Sequence, residues 1–141
     1  MSSVQQAMEK EIVSNDCASD AIPHSVLVVD DEMWIRLDIA EELRARGLTV
    51  MEAVHADEAR DVLAAVRDID IVITDVQMPG SMDGIALARF INVHRPATKV
   101  IVMSGKWHPD RDDAPIAAML EKPFPPWKMV RLVEELIGAT A

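Results

Sequence analysis

The stretch IDIVITDVQMPGSMDG, Ile69 to Gly84, decides how this chain is read. Apart from Asp70, its first six residues are all β-branched, as in a strand covered on both faces. The run ends on Asp75, and Met78-Pro79-Gly80 turns the chain away almost at once. A carboxylate at the end of a buried strand costs free energy unless something there uses its charge. Asp83 then stands as the N-cap of a helical pattern, DGIALARFINVH (83–94), with Ile85, Leu87, Ala88 and Ile91 inward. Strand, acidic end, turn and helix form the unit whose repetition sets the fold.

Working outward, VLVV (26–29) is a continuous apolar run and reads as the first strand. A helix follows, with Ile35, Ile39 and Leu43 on one stripe, Leu37 and Ala40 beside it, and Gly47 as its C-terminal cap. LTVMEA (48–53) is the second strand, and DEARDVLAAVRD (57–68) a helix with Ala59, Val62, Leu63 and Val66 inward. IDIVIT (69–74) is the third strand and KVIVM (99–103) the fourth. The rhythm then breaks at GKWHPDRDDAP, whose two prolines make a poor helix. IAAML (116–120) is a short fifth strand, and PPWKMVRLVEELIG a helix with Pro125 and Pro126 in its first turn. Val130, Val133 and Ile137 line its apolar side. This alternation predicts an α/β fold: a doubly wound five-stranded parallel sheet in order 2-1-3-4-5, with the fourth helix short or missing. Residues 1–24 read as a polar N-terminal extension, flexible in expectation, and residues 25–141 as the folded domain.

The net charge of −10 argues against a nucleic-acid partner bound through phosphates and against an anionic membrane surface. A cation, or a partner with a basic patch, suits it better. Cys17 is the only cysteine, so no intrachain disulfide forms, and a cytoplasmic setting is the simplest expectation. No signal-peptide pattern or membrane-spanning run is present in the sequence.

In doubly wound sheets ligands bind beyond the carboxyl ends of the strands. Asp30, Asp31 and Glu32 follow the first strand, Asp75 the third, Ser104 and Gly105 the fourth, and Lys122 and Pro123 the fifth. Clustered carboxylates repel and raise one another's pKa, and a hard divalent cation removes the conflict. Mg²⁺ favours one or two carboxylates, several waters and a phosphate oxygen. A carboxylate can also act as nucleophile and become an aspartyl phosphate, with Lys122 and the Ser104 hydroxyl balancing the charge of the transferred group.

VLVVDDE, TDVQMPGSMDG, VIVMSG and EKPF together resemble the receiver domain of two-component response regulators. The MPGSMDG loop is one residue longer than the commoner Met-Pro-x-Met-Asp-Gly form and looks like that of single-domain, stand-alone receivers. The resemblance implies a flavodoxin-like fold in which Asp75 is the phosphoacceptor. It implies that Asp31 binds Mg²⁺ directly, Asp30 mainly through water, and the backbone carbonyl of Gln77 as a further ligand. Ser104 would be the switch hydroxyl and Lys122 the phosphoryl partner, with a cis peptide to Pro123. A histidine kinase or histidine phosphotransfer protein would donate, and a downstream protein partner or a phosphorelay would take up the signal, with no DNA-binding output domain. Catalysis would be limited to the domain's own phosphorylation and dephosphorylation, so it is not an enzyme in the ordinary sense.

This sequence departs from the family at Met119, where an aromatic usually reports phosphorylation, and in the stretch after Ser104. Gln77 and Lys106 stand where side chains could gate the attacking water. Simpler readings exist for each residue alone: a helix N-cap for Asp30 or Asp31, a first-turn dipole residue for Glu32, a surface lysine for Lys122 and a turn residue for Ser104. Trp34 and Trp107 either pack loops or stand partly exposed near Asp75. Two other functions compete. A receiver-shaped binding module would never be phosphorylated. A haloacid-dehalogenase-type phosphatase would want its aspartates two apart after the first strand, whereas Asp30 and Asp31 are adjacent.

Overall fold

The computed structural model describes residues 23–105 and 115–140. The expectations for residues 1–22, Cys17 included, and for Lys106, Trp107 and the proline-broken stretch fall outside the described residues. Five parallel strands are β1 (Ser25–Val29), β2 (Thr49–Ala53), β3 (Ile71–Asp75), β4 (Lys99–Ser104) and β5 (Ala118–Glu121). They lie in the order β2-β1-β3-β4-β5. Between them run α1 (Met33–Ala45), α2 (Ala56–Ala65), α3 (Gly84–His94) and, last, α4 (Pro126–Thr140). Among the described residues no helix joins β4 to β5. The expected flavodoxin-like architecture is the observed one.

Side-chain alternation along the strands builds two cores. Leu27, Val29, Val72, Val100 and Val102 face α2 and α3, packing on Ala59, Leu63, Leu87 and Ile91. Val26, Val28, Ile71, Ile73, Ile101 and Met103 face α1 and α4, packing on Ile39, Leu43, Met129 and Val133. Each fully buried Val, Leu or Ile contributes about 1.5–3 kcal/mol relative to exposure, so the central strands hold the domain together.

Local signals behave as the sequence implies at several ends. After α1, Gly47 takes φ 87°, its N–H donates to the Arg44 carbonyl and the Leu48 N–H to that of Leu43, a Schellman closure. Asp83 caps α3 through Oδ1, which accepts from the Ala86 N–H at 2.8 Å. Pro126 opens α4 as its first residue.

Several boundaries differ from expectation. Helix α2 stops at Ala65, and Val66 packs on the core from extended backbone. Asp70 pulls that connection into the sheet: its Oδ2 accepts from the Ser25 N–H at 2.8 Å, and its own N–H donates to the Ser25 carbonyl. Strand β3 therefore starts at Ile71 and includes Asp75. Strand β5 runs to Glu121 and is half-buried, as suits an edge strand.

Candidate phosphoacceptor and metal site

Register brings the acidic ends level. Val29 pairs with Thr74, so Asp30 and Asp75 follow at the same height on adjacent strands. Asp75 pairs with Met103 and Ser104 with Glu121, which carries Ser104 and Lys122 to the same edge. The Lys122 N–H donates to the Ser104 carbonyl at 2.8 Å, and the Lys122–Pro123 peptide is cis.

Carboxylate oxygens of Asp30, Asp31 and Asp75 lie within 4.8 Å of one another. Asp30 is wholly buried, Asp75 is 7% exposed, and Asp31 faces solvent. Lys122 Nζ sits 3.2 Å from Asp75 Oδ2, 3.3 Å from Asp30 Oδ2 and 3.5 Å from Glu32 Oε1. A cleft of about 310 Å³ opens over this group, lined by Asp31, Glu32, Asp75, Gln77, Gly105 and Lys122. Ser104 is buried beside it, and its neighbour Gly105 forms the wall. Met119 is half-buried and packs on the α2–α3 core.

The electrostatics are unresolved within the protein itself. Burial raises the Asp75 carboxyl above its ordinary 3.8, against Lys122 and the Gln77 N–H, which lower it. Burial likewise raises Asp30, against the Glu32 N–H and Lys122, while the Asp75 charge adds to the rise. Burial works to lower Lys122, but Asp30 and Asp75 outweigh it and hold its ammonium above the ordinary 10.5. One ammonium thus serves several carboxylates. Three hard oxygen donors from two adjacent strands, one open to water, fit a divalent cation such as Mg²⁺.

The structure corrects the simpler readings. Glu32, not Asp30 or Asp31, is the N-cap residue of α1, and its side chain makes no capping bond. Its carboxylate instead turns toward Lys122. Trp34 is 72% exposed in the first turn of α1. Sequence reasoning missed two further residues. Arg36 Nη1 donates to the Asp30 carbonyl at 2.8 Å. Gly84 lies so close to the Asp75 and Val76 backbone that no side chain fits. A glycine at the first position of a helix, where it adds nothing to helix formation, was the available signal for the second.

A family model for the response regulator receiver domain matches residues 26–134, and the chain belongs to that family. This sets aside the haloacid-dehalogenase alternative. The chain is 36% identical over 119 residues to the DNA-binding transcriptional regulator NtrC of Escherichia coli K12, covering 80% of this chain and 24% of that protein. It therefore spans about a quarter of that relative's length. It resembles the solved response regulator receiver protein from Pseudomonas putida with 32% identity and a TM-score of 0.74, covering 82% and 98% of the two chains. It also resembles the response regulator TrrA of Thermotoga maritima, solved in complex with Mg²⁺–BeF, with 29% identity and a TM-score of 0.71, covering 80% and 98%. Among the described residues no helix is long and apolar enough to cross a membrane.

Proposed function

We propose that this chain is a phosphorylation switch in which Asp75 accepts a phosphoryl group from a histidine kinase or a histidine phosphotransfer protein. The observation that carries the reading is the placement of Asp75: a strand-end carboxylate 3.2 Å from Lys122 Nζ and grouped with Asp30 and Asp31. Asp30, Asp31, Asp75 and the Gln77 carbonyl would hold Mg²⁺. The ion, when bound, screens the charge on the phosphoryl oxygens. An Asp75 carboxylate oxygen forms the new bond to phosphorus as the donor's P–N bond breaks, and the bonding pair stays on the imidazole nitrogen. Lys122 and the Ser104 hydroxyl then neutralise and bond the new oxygens.

The added charge shifts a two-state equilibrium in the loops around Ser104 and Met119. Output goes to a protein partner or onward through a phosphorelay, in the cytoplasm, without nucleic acid or membrane. The exposure of Met33 (49%) and Trp34 (72%), which directly follow Glu32 at the site, supports a protein-facing surface there. The domain catalyses only its own phosphorylation and dephosphorylation.

The test is direct. Incubation with Mg²⁺ and acetyl phosphate or phosphoramidate should add the mass of one phosphoryl group in a base-labile, acid-stable linkage. No mass gain, or equal labelling of Asp75→Asn, would sink the switch and leave a receiver-shaped binding module.

A further inference from the structure

Arg36 lies in α1 one turn beyond Glu32, to whose carbonyl its N–H donates, and the reading above gives its side chain no part. That side chain is only 13% exposed. Nη1 donates to the Asp30 carbonyl at 2.8 Å, while Nε pairs with Glu52 Oε1 at 3.0 Å. Glu52, on β2, is itself held: its Oε2 lies 3.2 Å from Arg44 Nη1. Arg44 in turn donates through Nη2 to the Val50 carbonyl at 2.9 Å. The guanidinium fork thus spans two acceptors and is oriented by a carboxylate fixed from behind.

The Asp30 carbonyl belongs to the rigid peptide plane that ends at the Asp31 Cα. Holding that oxygen sets where Asp31 begins. Two more bonds fix Asp30: its N–H donates to the Ala53 carbonyl at 3.1 Å, and its Oδ1 accepts from the Glu32 N–H at 2.8 Å. Its Oδ2 meanwhile faces Lys122.

We propose that Arg36, oriented by Glu52, is a positioning residue for the metal: it sets the Asp30–Asp31 peptide so that both carboxylates converge with that of Asp75. This rests on the Mg²⁺ reading of the site. Arg36 acts through a backbone oxygen. Its charge and its clamp have opposite consequences. A fixed cation near a cation site disfavours Mg²⁺, so losing the charge alone would tighten binding. Losing the clamp loosens it.

Calorimetric Mg²⁺ titration of the folded chain separates the two. Arg36→Met keeps an unbranched, helix-forming side chain. It should bind Mg²⁺ about tenfold or more weakly than wild type, the loss usual for outer-shell partners of metal ligands. Unchanged or tighter binding would overturn the role, even if the variant melts at lower temperature. Should Arg36→Met fail to fold, Arg36→Lys replaces it. Lysine keeps the charge but cannot span both acceptors, so weaker binding is expected and wild-type affinity overturns the role. A wild-type chain that binds no Mg²⁺ removes the metal reading, and this role with it. Wild-type binding with an unweakened variant removes only this role.

Discussion

Replacing Gly84 by alanine sets two physical effects against each other. Gly84 is the first residue of α3, and its N–H donates to the Val76 carbonyl at 2.8 Å. On helix propensity alone, alanine would stabilise the chain by up to about 1 kcal/mol. Sterics oppose this. An added Cβ would fall 2.8 Å from the Asp75 carbonyl carbon and 2.9 Å from the Val76 Cα, and closer still to the Asp75 carbonyl oxygen. Carbon atoms at optimal contact stand about 3.5–4.0 Å apart. Either the start of α3 or the Asp75 peptide must move by roughly 0.7 Å or more to restore that distance.

All the opposing atoms are backbone, and the Asp75–Val76 backbone is tied to β4 through the Val76 N–H and the Met103 carbonyl. The cost belongs at the upper end of overpacking, about 3 kcal/mol. That is a large part of a typical stability of about 5–15 kcal/mol. The displaced atoms carry the proposed nucleophile, so phosphorylation by acetyl phosphate should also slow, by about a hundredfold for a 1 Å misplacement. Urea unfolding in EDTA measures the first effect and a phosphorylation time course the second. Gly138→Ala is the control: Gly138 lies in α4 with nothing near its added Cβ, so that variant should gain stability. If Gly84→Ala is as stable as wild type or more so, the close-approach argument is wrong.

Three other outcomes follow from the charge balance at the site. Asp75 is raised above its unfolded value, so its favourable contribution is complete below about pH 4 and is lost as pH rises through the folded pKa. Asp75→Asn should therefore raise the metal-free melting temperature at neutral pH, with the gain shrinking in acid; a lower melting temperature at neutral pH would contradict this. Mg²⁺ at a hundred times its Kd should stabilise wild type by about 2.7 kcal/mol in urea unfolding. The same addition should do less for Asp75→Asn, and an equal gain in both would remove Asp75 from the ligand set. Lys122→Ala should still take a phosphoryl group from a small donor yet fail to engage a phospho-specific partner, and wild-type partner binding by that variant would refute its switching role.

The fold was legible because the strands declare themselves. VLVV and VIVM are buried on both faces, and their alternating side chains divide cleanly between the two cores. Helix ends were legible where one residue carries the signal, as Gly47 and Asp83 do. The end of α2 was not, because Val66 and Ile69 continue an apolar pattern whatever the backbone does. Beyond its end the chain is held to the sheet by Asp70 bonding to Ser25, a residue 45 positions away. The same division holds at the site. Asp30, Asp31, Asp75 and Lys122 were found by their places at strand ends. Arg36 was hidden because its partner is a backbone carbonyl, which no residue pattern marks. Glu32 was misread because its nearest structural feature in the sequence was a helix start, whereas in space its carboxylate pairs with Lys122.

Lys122 explains why such a site would serve as a switch rather than as a structural ion pair. Its backbone is fixed to β4 through the Ser104 carbonyl, so only the side chain is free to redistribute. Its ammonium stands nearly equidistant from Asp75, Asp30 and Glu32, at 3.2, 3.3 and 3.5 Å. The two buried carboxylates, Asp30 and Asp75, hold it more firmly than exposed Glu32, and a change of charge at either decides between them. Phosphorylation of Asp75 would be such a change, adding charge and acceptor oxygens at one of the three corners. The ammonium would turn wholly to that corner, and the Ser104 end of β4, bonded to the same residue, is the nearest element to register it. The conflict left standing among the carboxylates is thus what makes the site responsive, and the stability lost to it at neutral pH is the measure of that responsiveness.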